Sequence, residues 1–304
     1  MDFLRFLESI RTPLGEKIFY VITYGGEEIT LLGLICVLYW CIDRKLGYRM
    51  TYAYLSSALA INTLKLICRV PRPWVRDTQI HPVKLAMPSA DGYSFPSGHT
   101  QNATALFGTL FHITRKRALK ILFALIIPAV MFSRLYLCVH TPTDVLVSFC
   151  VSLCIITGLN LIADKVELTK GRKIFILCIL LLLALATLIY TYVLYSSGTI
   201  EYIDASASFK GCGAGFGFAI GWYIESTYIQ FETKCKNIGM QILKLAIGAG
   251  VALLLKSGIK HVAASLFGQH FLTDVIRYFV VMIWAFIIMP LIIKKFFQEK
   301  PSMA

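Results

Sequence analysis

Apolar runs long enough to approach the span of a lipid bilayer recur along almost the whole of this chain, and no other feature limits its folds so severely. A hydrocarbon core is crossed by roughly 20 residues of helix, and lipid offers no hydrogen bonds to an open backbone, so a helix is the natural state of each run. Nine runs are expected as crossings: Ile29–Ile42, Thr51–Ile67, His99–Ile113, Leu119–Val139, Val145–Ala163, Ile174–Ser196, Gly211–Thr227, Met240–Leu255 and Val275–Ile293. With 57% hydrophobic and 15% charged residues among 304, the chain has too much apolar surface to hide in an ordinary soluble domain. The expected fold class is therefore all-α, a polytopic membrane helical bundle of about nine transmembrane helices.

The first 26 residues follow another pattern. Phe3, Leu4, Phe6, Leu7 and Ile10 alternate with Asp2, Arg5, Glu8 and Arg11 at helical spacing. This suits an N-terminal interfacial helix lying in the membrane surface, and equally a short helix packed on the bundle. The segment is too charged, and its apolar part begins too early, for a cleavable signal peptide. No low-complexity linker divides the rest, so residues 1–304 are expected as one integral membrane domain: an interfacial segment 1–26, a core 51–163, and additional C-terminal transmembrane helices over 174–295.

The net charge of +13 points to membrane topology rather than to nucleic acid, because of where it lies. Given nine crossings, Arg44, Lys45 and Arg49, the Arg115–Lys120 cluster, Lys165 to Lys173, Lys234 and Lys236, and Lys294, Lys295 and Lys300 all fall on one face or in the tail. That face is expected to be cytoplasmic. The opposite face holds the N-terminus, residues 68–98, the turn at His140 and the loop around Glu201 and Asp204. Nine cysteines, mostly inside apolar runs and without C-x-x-C spacing, read as packing residues, although Cys68 and Cys138 lie near enough to the polar motifs for a bond between them to remain open.

Three polar clusters stand at the ends of consecutive apolar runs on that second face. Lys65 closes one run, and Arg72 follows in Arg69-Val-Pro71-Arg72-Pro73, where the prolines stop the helix and let Arg72 fold back towards Lys65. Snorkelling to lipid headgroups suits the same two cations. Phe95-Pro-Ser97-Gly98-His99 precedes the next run; Ser97 is a candidate N-cap, and Gly98 lets an anion approach the free N–H groups of the first turn beside His99. Ser133-Arg134 leads to His140, and Thr141-Pro142-Thr143-Asp144 forms a start like a capping box. The cap alone accounts for Asp144, but not for a histidine immediately before it. Between the first two clusters, the stretch 69–98 contains five prolines and is expected as a long tied-down loop, with His81 as its one histidine to consider near a ligand.

Three cations, two histidines, a carboxylate and a glycine-bearing helix start are what phosphoryl transfer needs without a metal. In that chemistry His140, oriented by Asp144, attacks phosphorus, and His99 protonates the leaving oxygen.

These residues fall into K-x6-R-P, P-S-G-H and S-R-x5-H-x3-D, an order that resembles the type 2 phosphatidic acid phosphatase superfamily. The resemblance implies a helical bundle, a phosphohistidine on His140, His99 as general acid, phosphate held by Lys65, Arg72, Ser97, Gly98 and Arg134, and no metal or other cofactor. The spacing of runs around the motifs, with Asn62, Trp74 and Tyr39-Trp40-Cys-Ile-Asp43, is similar to the nine-span branch of glucose-6-phosphatases and sphingosine-1-phosphate phosphatases. A lipid phosphate or polyprenyl pyrophosphate such as undecaprenyl pyrophosphate is the expected substrate, reached laterally from the bilayer. Alternatives are a sugar-phosphate phosphatase, a lipid phosphotransferase, and a transporter or scaffold that only binds an anion. With no retention signal at Pro301–Ala304, a bacterial plasma membrane with the site facing outside is expected. The glycines Gly213, Gly217 and Gly221 share a helix face and are expected to permit close packing.

Overall fold

The computed structural model of the chain describes residues 1–267 and 270–298; Lys300 and the terminal Pro301–Ala304, used above for charge and targeting, lie outside them. All regular structure among the described residues is helical, apart from one bridge that pairs Cys235 with Gln298. The nine expected runs fall on helix, except that the run Leu119–Val139 leaves its helix after Tyr136. Among the described residues, five helices are long and apolar enough to cross a membrane: Arg117–Tyr136, Pro142–Lys165, Lys170–Ser196, Ile238–Val262 and Phe271–Phe297. A sixth is reached if Pro13–Gly26 and Glu28–Ile42, bent by 47° at their junction, form one span.

Two compact units are present, and their residues interleave along the chain. The first takes residues 1–32, 52–165 and 198–205. Here the N-terminal pattern becomes two helices. Asp2–Ser9 buries Leu4 and Leu7 against Ile80, Leu135, Cys138 and Val145, while Phe3 and Phe6 face outward. Pro13–Thr23 then begins as its residues demand, with Thr12 Oγ1 accepting the Gly15 N–H at 3.1 Å and Pro13 in the first turn, where its missing N–H costs nothing.

The proline-rich stretch of this unit carries only short helical turns, Pro73–Arg76 and Lys84–Ser89, yet it is well anchored. Val83, Ala86 and Ala90 pack on Leu137 and Val139. The Val83 N–H donates to the Leu137 carbonyl at 3.1 Å, and the Ser94 N–H to that of Val70 at 2.8 Å. Arg5 meets Asp77 at 2.7 Å and the Glu8 carboxylate meets His81 Nδ1 at 2.9 Å, so the first helix also straps the loop. Each fully buried aliphatic side chain contributes about 1.5–3 kcal/mol, far more than such exposed ion pairs.

The second unit comprises residues 33–51, 166–197 and 206–304. It is built on very close helix packing. A methyl group at Gly213 would stand 2.2 Å from the Val275 carbonyl oxygen, and those at Gly217 and Gly221 would each stand 2.6 Å from a side-chain carbon, of Met282 and Phe286. Trp40 and Trp284, buried in the same unit, donate their indole N–H groups to the carbonyls of Ala285 and Gly248 at 3.1 and 2.9 Å.

Candidate active site

The first unit gathers all eight residues that the sequence singles out. The positions of seven of them follow from three helix ends, and Arg134 sits near a fourth. The Arg44–Cys68 helix stops because Arg69 adopts a left-handed backbone, φ 48°, and donates its N–H to the Lys65 carbonyl at 2.9 Å. The chain turns through Pro71, and Lys65 and Arg72 meet the same short stretch of loop. Lys65 Nζ donates to the Tyr93 carbonyl at 2.7 Å. Arg72 donates from Nη2 to Asp91 at 2.7 Å, from Nε to Gly92 at 2.9 Å and from Nη1 to Val139 at 3.1 Å, all backbone carbonyls. Gly92 needs its freedom at this point, since its φ is +59°.

At the second end, Ser97 caps the Gly98–Ala103 helix through its Oγ, which accepts the Thr100 N–H at 3.4 Å. Among the described residues, and apart from the helix's own backbone and the adjoining residues, nothing lies within 4 Å of where a Gly98 Cβ would stand, so the space over this first turn is open. A 3.0 Å hydrogen bond from the Ser97 N–H to the Asp144 carbonyl and a 2.6 Å one from Ser148 Oγ to the Ser97 carbonyl fix this helix start to the third one.

That third start is the Pro142–Lys165 helix. Asp144 Oδ2 accepts the Thr141 N–H at 2.8 Å, and Thr141 Oγ1 accepts the Asp144 N–H at 3.4 Å, closing the capping box. The same oxygen of Asp144 lies 3.3 Å from His140 Nδ1. On the far side of the ring, Arg72 Nη1 stands 3.1 Å from His140 Nε2. A guanidinium can only donate, so Nε2 must carry the lone pair and Nδ1 the proton. His140 is thus held as the tautomer whose free electron pair faces Arg72. It is 2% exposed. Burial, and then the charge of Arg72, hold its pKa well below the ordinary histidine value, although Asp144 acts in the opposite direction. Burial also pushes Arg72 down to about 10, which leaves it fully charged at neutral pH.

Arg134 is wholly buried near the end of the Arg117–Tyr136 helix, where Nη1 donates to Thr23 Oγ1 at 2.8 Å. Its Nε and Nη2 have no hydrogen-bond partner among the described residues. Leaving buried donors of a cation unmet costs at least about 1–3 kcal/mol, a cost that a bound anion removes. His99 Nε2 lies 3.0 Å from Glu27 Oε1. A cleft of about 290 Å³, lined by Cys68, Val70, Arg76, Phe95, Thr141, Thr143 and Asp144, opens beside the dyad. A second groove of about 430 Å³ is lined by apolar residues, among them Phe3, Met131, Phe132, Pro142 and Leu146.

Some expectations change. His81 pairs with Glu8 of the first helix and is 75% exposed, which takes it out of the site. Cys68 and Cys138 are both free thiols. The sequence did not single out Ser94, whose Oγ donates to Asp144 Oδ2 at 2.5 Å, nor Thr23 and Glu27. The last two are polar positions four apart at the edge of an apolar segment, the one local hint they offered.

Comparison with known proteins adds two family matches. Residues 47–168 match the PAP2 superfamily, and residues 209–301 match the transmembrane extension of PAP2 superfamily phosphatases. Phosphatidylglycerophosphatase B of Bacillus subtilis is 29% identical over 153 residues, 47% of this chain and 73% of that protein. Sphingosine-1-phosphate phosphatase 1 of Mus musculus is 23% identical over 278 residues, 86% of this chain but only 61% of its own length. No solved structure matches the chain.

Proposed function

We propose that this chain, in which a PAP2 superfamily domain and its transmembrane extension are both found, is an integral membrane phosphatase that hydrolyses a lipid phosphate or polyprenyl pyrophosphate. The observation that carries this reading is the His140 dyad: a buried imidazole with its Nδ1 on Asp144 and its Nε2 lone pair on Arg72, in the unit that also holds the unmet donors of Arg134.

In the first step His140 Nε2 attacks phosphorus, forming an N–P bond as the bond to the leaving oxygen breaks. His99 gives that oxygen a proton. Water then attacks phosphorus, the N–P bond breaks, and His99 takes the proton released by the water. Lys65, Arg72 and Arg134 offset charge on the equatorial oxygens, and the first-turn N–H groups after Ser97 and Gly98 receive another. An arriving phosphate draws the Arg72 donor away from Nε2, which frees the nucleophile in the complex that needs it.

The lipid character of the substrate is favoured by the apolar groove that reaches Pro142, two residues from the nucleophile, and by the names of the two relatives. The positive-inside distribution favours nine crossings with the site on the extracytoplasmic side, and a bacterial plasma membrane is the setting we favour. No metal is assigned a role.

The test is phosphate release by the detergent-purified protein, in excess chelator, from undecaprenyl pyrophosphate, phosphatidate, sphingosine 1-phosphate and glucose 6-phosphate. Turnover on a lipid substrate that survives chelator and falls by on the order of 10⁴-fold or more in His140→Ala is expected. Loss of turnover in chelator, or a variant as active as the parent, overturns the mechanism. Preference for glucose 6-phosphate overturns the lipid assignment alone.

A further inference from the structure

Glu27 occupies the break between two helices. Pro13–Thr23 runs on into a single tight turn, Tyr24–Gly26; Glu27 has extended backbone, φ −74° and ψ 142°; and Glu28–Val37 departs at 47° to what came before. The break is pressed against the Gly98 helix. A methyl group at Gly26 would stand 2.5 Å from the His99 carbonyl oxygen, and Asn102 Nδ2 donates to the Gly26 carbonyl at 2.9 Å. Thr23, one turn earlier, holds Arg134. From this fixed position the Glu27 carboxylate reaches His99 Nε2 at 3.0 Å, with both side chains largely shielded, at 25% and 10% exposure.

We propose that Glu27 is a positioning residue for the general acid: it binds His99 Nε2–H, stabilises the imidazolium, and turns Nδ1–H towards the leaving oxygen of the phosphate ester. The proposal rests on the phosphatase reading above and deepens it. The charged groups that act on His99 are Glu27, Arg134 and Arg72. Two of the three are cations, and burial removes water from the balance, so an acid that must be charged before it acts needs a carboxylate beside it. The Glu27 carboxylate is in turn faced by His99 and Arg134, with Ser89 as a hydrogen-bond donor. Asp144 does the equivalent service for His140 from the opposite nitrogen, so the site contains two histidine–carboxylate pairs with opposite tasks: one keeps a lone pair exposed, the other keeps a proton available.

A general acid matters only when the leaving group is poor. The experiment therefore compares kcat/KM for phosphatidate, which must release an alkoxide, with that for 4-dodecyl-2-nitrophenyl phosphate, which releases a stabilised phenoxide, in the full-length protein and in Glu27→Gln. We expect phosphatidate to lose on the order of 10²-fold and the nitrophenyl ester less than about five-fold. For phosphatidate, the alkaline limb of the pH profile, where His99 gives up its proton, should move down by about one pH unit or more, because an adjacent negative charge is gone. Glu27→Asp should recover part of both losses. Equal losses on the two substrates with an unmoved limb would make Glu27 a packing residue and overturn the proposal. If Glu27→Gln does not accumulate, the same ratio read on Glu27→Asp decides, with a substrate-independent loss counting against it. A parent protein that hydrolyses neither ester but releases phosphate from undecaprenyl pyrophosphate has its alkaline limb read on that substrate; one that hydrolyses none of these fails the phosphatase reading instead.

Discussion

Two helix starts in the first unit carry a histidine paired with a carboxylate, and they are assembled in opposite ways. At Pro142 the pair is local: His140 and Asp144 are four residues apart, and the turn that caps the helix also aligns them. At Gly98 the pair spans 72 residues, because the carboxylate arrives from the bent N-terminal segment. The local pair is set by backbone geometry and survives almost any rearrangement that keeps the helix. The distant pair exists only when two helices dock, so it is the part of the site that packing controls. The two histidines are thereby placed under separate structural control.

The largest effect that sharpens this contrast is expected from Asp144→Asn. An amide can present its N–H to Nδ1 and force the other tautomer, so kcat/KM should fall by on the order of 10⁴-fold. The pH profile gives the sign. His140 must be neutral to attack, and burial with Arg72 lowers its pKa, so the acid limb of the parent protein should lie below about 6.5, the ordinary histidine value. Loss of the Asp144 charge removes an influence that raises that pKa, so the limb should move further down while the plateau falls. Glu27→Gln instead moves the alkaline limb. Finding the same limb displaced in both variants would break the division of labour.

An intermediate loss is expected from Arg72→Lys. One ammonium cannot span the carbonyls of Asp91, Gly92 and Val139 while also facing His140, so kcat should fall by on the order of 10²- to 10³-fold. An unchanged rate would mean that the loop carbonyls do not hold the cation in its working place. The smallest is expected from Gly98→Ala. The methyl group meets no atom of another described segment within 4 Å, so the thermal midpoint should hold, while KM rises about ten-fold because the methyl intrudes where an anion would sit. A lower midpoint with KM unchanged would argue that the open space is not a phosphate site.

How far the sequence could be read follows the same division. The caps at Ser97 and Thr141, the end of the helix before Arg72 and the His140–Asp144 alignment are all settled within a few residues, and each is present. The glycine face at Gly213, Gly217 and Gly221 was legible for the same reason, since period alone defines it. Glu27, Thr23 and the loop carbonyls were not, because contacts over 72 and 111 residues leave no local period. His81 misled for a related reason: a histidine in a polar loop says nothing of Glu8, 73 residues earlier. The count of crossings also needs more than runs of apolar residues, since only five of the described helices are long and apolar enough alone and a sixth depends on the bent pair.

The bend at Glu27 has a consequence for biosynthesis. A chain is made from its N-terminus, so the segment with Thr23 and Glu27 leaves the ribosome well before the helices that hold His99 and Arg134. Until those follow, the carboxylate has no imidazole beside it and must stay in contact with water, which disfavours full burial of the bent pair. A chain whose insertion stalls between residues 27 and 99 would carry the carboxylate without the imidazole it meets in the folded protein.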